Sequence, residues 1–314
     1  MSEKTRVLVT GGAGYIGSTL VPVLLGAGCR VRVVDNLVFN QASLVTCCLN
    51  PDFSFVRGNV CDRALMDAEI SCADVIIPLA ALVGAPACDQ DPETARMVNV
   101  EAHRHMAKSV SASQLVIFPV TNSGYGIGEA GAFCTEESPL RPVSSYGRAK
   151  VEIEAAFLER GNAITLRLAT VFGASPRMRM DLLVNDFVFR AFKDRFIVLF
   201  EEHFRRNFLH VRDAAGAFLF SLENAGKMRG EPFNAGLSNA NLTKRELCEK
   251  IREHCPDLAI LSAKVGTDPD RRDYYVSNEK IEAIGFRPKV SLDEGIRELL
   301  MAYRMLKPNI YANV

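Results

Sequence analysis

The stretch VLVTGGAGYIGS, Val7 to Ser18, joins an apolar run to a glycine-rich turn and then to a helical pattern, STLVPVLLGAG. Gly11, Gly14 and Gly17 recur at three-residue spacing across that turn. Glycines placed so let the backbone turn tightly and approach a pyrophosphate, whose charge meets the free amides and the positive dipole end of the helix. The motif is weak alone and gains weight from its setting. It follows a strand, opens a helix, and is answered by Asp35 at the end of a second apolar run, RVRVVD, 18 residues after Gly17. A carboxylate there accepts hydrogen bonds from an adenosine ribose. A P-loop is excluded, because Ser18 stands where the phosphate-binding lysine belongs.

Outward from this unit, ADVIIPLA, QLVIFPV and AITLRLA repeat the alternation of short apolar runs with helical patterns. Continuous hydrophobicity in such runs suits strands covered on both faces, so the fold class is α/β, a doubly wound parallel sheet of Rossmann type. Past Arg167 the rhythm loosens into the loops GASPRMRMD and GTDPDRRDYY, which suits a smaller α/β lobe. The expected division is residues 1–170 for a dinucleotide domain and 171–314 for a substrate lobe, with the chain crossing between them. Asp35 would repel a 2′-phosphate, which favours NAD over NADP; Arg32 comes three residues too early to offset that charge. Lys and Arg balance Asp and Glu at 37 each, so nothing points to nucleic acid or an anionic membrane, and a small-molecule partner is expected. Nine scattered cysteines lack zinc spacing and read as reduced thiols. No signal-peptide pattern and no spanning apolar run is evident, and a cytoplasmic location is expected.

Two further stretches carry chemistry. QLVIF leads to Thr121, Asn122 and Ser123 at a strand end, with no acid, histidine or metal ligand among them. SSYGRAK places Tyr146 four residues before Lys150, on one face if a helix starts there. An ammonium beside a phenol favours the phenolate, which would make Tyr146 a usable base.

Together VTGGAGYIGS, VVDN, GNVCD, PLAA, TNSGYG, YGRAK, LRLATVFG, RRNFLHVRDAA and GFRPKVSLDEGI resemble the extended short-chain dehydrogenase/reductases of the NAD-dependent nucleotide-sugar epimerase/dehydratase family. The resemblance implies roles. Gly11, Gly14 and Gly17, with Tyr15 and Ile16 between them, would hold the pyrophosphate, Asp35 and Asn36 the ribose, and Asn59 and Val60 the adenine edge. Leu79, Ala80 and Ala81 would pass beneath the cofactor, and Asn99 completes that set. Tyr146 would be the base, Lys150 would hold the nicotinamide ribose and lower the tyrosine pKa, and Thr121 would bond the reacting hydroxyl. Val83, Gly84, Asn122 and Ser123 would line the sugar site, and Asn185, Arg206 and Arg272, with Arg271 as an exchangeable neighbour, would grip the nucleotide sugar. A homodimer is implied, pairing helices around Glu93 to Val110 and Lys150 to Arg160.

The family's first step, oxidation of a sugar hydroxyl, usually at carbon 4, leads to different products according to the residues after the strand-end hydroxyl. The 4,6-dehydratases carry Asp-Glu there, the decarboxylases a glutamate and the 3,5-epimerases a cysteine. Asn122 and Ser123 do none of that work, so dehydration is disfavoured. IIPLAALVGAP, TNSGYGIGE and FIVLFEEHFRRNFLHVRD are similar to GDP-heptose 4-dehydrogenases, which favours a 4-keto product and a GDP-sugar. A 4-epimerase stands second, and a non-catalytic NAD-binding regulator third. Thr170, Asn207 and Gly124 depart from the family pattern, and Gly124 is expected to open space near the sugar. His103 and His105 read as solvated or interface residues, His210 as a core histidine, and Glu201 and Glu202 as surface acids within reach of sugar hydroxyls.

Overall fold

The runs Val7–Val9, Val75–Ile77 and Val116–Phe118 contain only apolar side chains, and each is almost wholly inaccessible, because helices cover both faces of the strands they form. The computed structural model describes residues 4–40, 42–129, 131–263 and 272–306.

The chain runs through β1 (Arg6–Thr10), α1 (Gly17–Gly26), β2 (Arg30–Asp35), β3 (Phe53–Arg57), α2 (Arg63–Ser71) and β4 (Val75–Pro78). A bent helical stretch follows: α3 (Ala85–Gln90), α4 (Pro92–Arg96), a π-turn at Met97–Glu101 and α5 (Ala102–Ser109). Then come β5 (Leu115–Thr121), β6 (Phe133–Cys134), α6 (Ser145–Leu158) and β7 (Ala163–Leu168). The second half holds β8 (Thr170–Phe172), α7 (Leu183–Lys193), β9 (Phe196–Leu199), β10 (Arg205–His210), α8 (Val211–Glu223), α9 (Ala225–Met228) and β11 (Pro232–Ala235). It ends with β12 (Asn241–Thr243), α10 (Lys244–His254), β13 (Ala259–Ser262), β14 (Tyr275–Val276), α11 (Glu279–Ile284) and α12 (Leu292–Ala302).

Seven strands form one parallel sheet in the order β11-β7-β5-β4-β1-β2-β3. Chain order reverses between β1 and β4, and ligands of such sheets settle in the crevice at the carboxyl ends of the strands beside that reversal. Thr10, Asp35, Pro78 and Thr121 all end strands on this edge. One core layer packs Leu20, Leu24 and Phe218 against the sheet, and the other packs Met66, Met106 and Phe157. A third cluster, around Phe172, Val184, Phe208, Ile251 and Leu299, is the core of the smaller lobe.

The lobes share chain. β11 pairs with β7 as an outer strand of the large sheet, and α8 packs on α1, so residues 211–235 return to the seven-stranded sheet before the chain goes back to the smaller cluster.

Candidate active site

The turn between β1 and α1 is built to be close. Gly11 has φ +68°, and a Cβ on it would stand 2.5 Å from the Ala80 nitrogen; one on Gly17 would stand 2.6 Å from Gly12. A Cβ on Gly14 would meet nothing but the Gly11 carbonyl oxygen, at 3.1 Å, so what a side chain there would take is the room of a ligand. Asp35 fixes the turn: its Oδ2 accepts from the Ala13 amide at 3.0 Å and its Oδ1 from the Leu37 amide at 2.8 Å. Arg32 is committed elsewhere, to Glu69.

This turn is one wall of a cavity of about 1170 Å³ that runs along the crevice into the smaller lobe. Gly11, Gly14, Tyr15, Ile16, Gly17, Asp35 and Asn36 line it near the turn. Asn59, Val60, Leu79, Ala80 and Ala81 line it along the strand ends, and Val83, Gly84, Thr121, Ser123, Tyr146, Lys150, Arg206 and Arg272 line its far part. The glycine cradle, the aspartate beyond it and the length of the cavity fit a dinucleotide with room left for a second ligand.

Thr121 ends β5, and its Oγ1 accepts the Ser123 amide at 3.1 Å while lying 2.9 Å from the Ser123 hydroxyl. Arg272 donates to that same hydroxyl. Tyr146 and Lys150 sit in the first two turns of α6, which Ser144 caps by accepting the Gly147 amide at 3.1 Å. Burial pushes the Tyr146 phenol up to about 12, with Arg179 and then Arg272 among the groups that hold it down. Burial also pushes Lys150, whose ammonium lies 4.5 Å from the Phe118 ring centroid, down to about 7. In this structure the cations acting on the phenol are the two arginines, and the lysine bears the desolvation cost of the site.

Three expected site residues stand off the cavity. Asn99 is engaged with the Leu82 backbone, accepting its amide and donating to its carbonyl at 2.8 Å each, and so shapes the loop after β4. Asn122 is 1% exposed behind the strand end. Asn185, expected on the nucleotide, is wholly buried: it accepts the Gly173 amide at 3.0 Å and donates to the Arg179 carbonyl at 2.7 Å, holding the loop after β8 onto α7. Arg271 lies outside the described residues.

Other expectations change as well. Gly124 does not face the cavity; a Cβ there would come within 3.0 Å of Val151, so the glycine lets α6 approach the strand-end turn. His103 is not solvated but fully buried, edge-on to Phe118, and burial pushes it down to about 3. His105 instead reaches Asp67 at 2.8 Å on the outer side. His210 is a core histidine bonded to Glu298 at 2.7 Å. Glu202 is taken up by Arg245 and Ser262, away from the cavity. Asn207 is buried with its amide on the Leu237 carbonyl, while Thr170 does line the cavity.

The sequence reading missed Arg177 and Arg179, both nearly buried in the cavity wall. Arg177 stacks 3.8 Å over the Phe39 ring, and Arg179 pairs with Asp181. Their signal was the run SPRMRMD, two arginines two apart in a stretch that reads as a loop. Among the described residues no cluster of His, Cys, Asp and Glu could hold a metal, and no helix is long and apolar enough to cross a membrane.

The profile of the NAD dependent epimerase/dehydratase family matches residues 7–236. UDP-glucuronic acid decarboxylase 1 of Arabidopsis thaliana is 29% identical over 96% of this chain and 70% of its own length. The dTDP-glucose 4,6-dehydratase of Streptomyces niveus is 29% identical over 95% of this chain and 93% of its own. Among solved structures, UDP-glucose 4-epimerase of Thermus thermophilus in complex with NAD superposes with a TM-score of 0.82 at 26% identity, covering 96% of this chain and 100% of that one.

Proposed function

The chain belongs to the NAD-dependent epimerase/dehydratase family, and from that premise we propose that it oxidises a nucleotide-diphosphate sugar at carbon 4 and releases the 4-keto sugar, a GDP-linked heptose or hexose being the first donor to try. The observation that carries this reading is the strand-end pair of hydroxyls. Thr121 and Ser123 stand 2.9 Å apart in the cavity wall, and the residue between them is a buried amide. Elimination of water, the activity in the name of the Streptomyces relative, needs a proton donor and a proton acceptor beside the sugar. Neither Asn122 nor Ser123 titrates usefully, so dehydration is disfavoured.

Held by the glycine turn and Asp35, NAD would supply a hydride acceptor for the carbon that carries the hydroxyl, and a donor for its return. The protein's own part is proton transfer and alignment. Tyr146 takes the hydroxyl proton, with Arg179 and Arg272 opposing the burial that would keep its phenol neutral. Thr121 fixes the reacting oxygen, and Lys150 stands one helical turn behind the tyrosine to meet the cofactor ribose. Arg206 and Arg272, planar and always charged, suit the diphosphate of the sugar nucleotide.

A second reading, 4-epimerisation by oxidation and re-reduction, is favoured by the likeness to the Thermus 4-epimerase. An absorbance trace at the reduced-nicotinamide band, with GDP-, UDP-, dTDP- and ADP-linked hexoses and heptoses, separates the two. A donor that reduces the cofactor and leaves two mass units lighter supports the dehydrogenase. Unchanged mass with altered stereochemistry and no net reduction supports the epimerase. We also propose a cytosolic homodimer formed through the helices around Glu93 to Val110 and Lys150 to Arg160. Met97, 46% exposed on the first of them, supports that face, and a monomer by light scattering would refute it.

A further inference from the structure

The catalytic groups come from two elements that must be held in register. Thr121 and Ser123 belong to the end of β5 and the short helical turn after it, whereas Tyr146 and Lys150 belong to α6. Behind both lies Arg167 on β7, paired across the sheet with Val120. Its Nε donates to Glu154 Oε1 at 2.9 Å and to Oε2 at 3.2 Å, and its Nη1 donates to the Tyr125 hydroxyl at 3.1 Å and to the Glu136 carbonyl at 3.0 Å. Tyr125 lies in the turn that carries Ser123, and it donates onward to Asn234 at 2.7 Å. Thr165 donates to Glu154 at 2.8 Å.

Tyr146, Lys150 and Glu154 are spaced at i, i+4 and i+8, so they form a single stripe along α6, about 12 Å from end to end. A rotation of the helix that drew Glu154 off Arg167 would swing the phenol and the ammonium with it. Arg167 and Glu154 are 5% and 2% exposed. Buried ion pairs are commonly neutral or costly against apolar residues of equal size, so stability alone does not account for this one. A planar fork able to hold a carboxylate and a phenol at once does account for it.

We propose that Arg167 is a positioning residue: by gripping Glu154 on the catalytic helix and Tyr125 in the strand-end turn, it sets the placement of Tyr146 and Lys150 against Thr121 and Ser123. The inference rests on the acid–base role given above to Tyr146, but its test needs no sugar. The full chain is labelled with 3-fluorotyrosine, saturated with NAD, and followed by fluorine NMR against pH. Of the seven tyrosines, the Tyr146 resonance is the one missing from Tyr146→Phe. Arg167→Lys keeps the charge but offers one nitrogen, which cannot serve both branches.

The expected result is a displaced Tyr146 resonance with its ionisation midpoint raised by at least about half a pH unit, a threefold change in the constant, while NAD still binds. A Tyr146 resonance and midpoint that stay in place in folded Arg167→Lys, whatever happens to its melting temperature, overturn the proposal, because a purely structural role would lower stability and leave the phenol alone. If Arg167→Lys does not fold, Tyr125→Phe cuts the turn branch, together with the Tyr125–Asn234 bond, while leaving Arg167 on Glu154, and is read in the same way, an unmoved resonance again overturning the proposal. Failure of the functional reading has a different signature, full sugar oxidation by Tyr146→Phe.

Discussion

At 4% exposure, Lys150 is a cation that the fold has surrounded with protein. Its pKa in the folded chain, about 7 against 10.5 for a free lysine, means that the unfolded chain binds the extra proton throughout the interval between them. The penalty is complete below pH 7 and vanishes above 10.5, and at 1.36 kcal/mol per unit it is on the order of 5 kcal/mol. Lys150→Met is therefore expected to raise the melting temperature at pH 7 while abolishing turnover, and the gain should shrink as pH climbs toward 10.5; melts at pH 7 and 10 decide it. Tyr146→Phe should lower oxidation by about 10²- to 10⁴-fold with NAD affinity unchanged, measured by absorbance and by NAD titration. Both residues were legible because YxxxK at helical spacing has a chemical reason. Arg177 and Arg179 were not, since which loop arginine turns inward depends on partners such as Phe39 and Asp181 that only the fold brings near.

At the scale of elements, the glycine turn was read correctly because its demand is local: Gly17 cannot carry a Cβ without displacing Gly12. Gly17→Ala should lower NAD affinity by more than about tenfold, a loss of at least 1.4 kcal/mol, while the circular dichroism spectrum is kept; calorimetric titration checks it. The stretch around Glu93 to Val110 was expected to be helical, but not to be interrupted by a π-turn at Met97–Glu101. A helix of regular pitch says which histidines differ in face, and His103 and His105 do differ, but not which one meets a neighbour. His103 meets Phe118 and stays neutral, at about 3 against 6.5 when free. Below pH 6.5 the unfolded chain gains a proton that the folded one refuses, so stability falls by about 1.4 kcal/mol per unit until pH nears 3. Urea unfolding of His103→Phe between pH 6.5 and 4.5 should show a shallower decline than the parent; equal slopes would count against it.

At the scale of the molecule, a ligand that binds only the folded state stabilises it by about 2.7 kcal/mol at a hundredfold its dissociation constant. NAD should thus raise the melting temperature, and NADP at equal concentration should not, because a carboxylate at Asp35, on the cavity wall, would repel a 2′-phosphate. The doubly wound sheet was legible from its apolar runs, and its last strand was not. Pro232–Ala235 is only four residues long, and nothing in PFNA distinguishes it from a strand of the smaller lobe. That late strand ties the fold to the order of synthesis. When Leu168 leaves the ribosome, β7 still lacks its outer neighbour, and the 67 residues to Ala235 take about 3–13 s to arrive at cellular elongation rates. During that interval the nascent sheet shows an open edge, and α1 lacks the cover that α8 will give it. A chain stopped at 170 would keep that state for good, leaving a sticky edge of unpaired backbone for chaperones to manage.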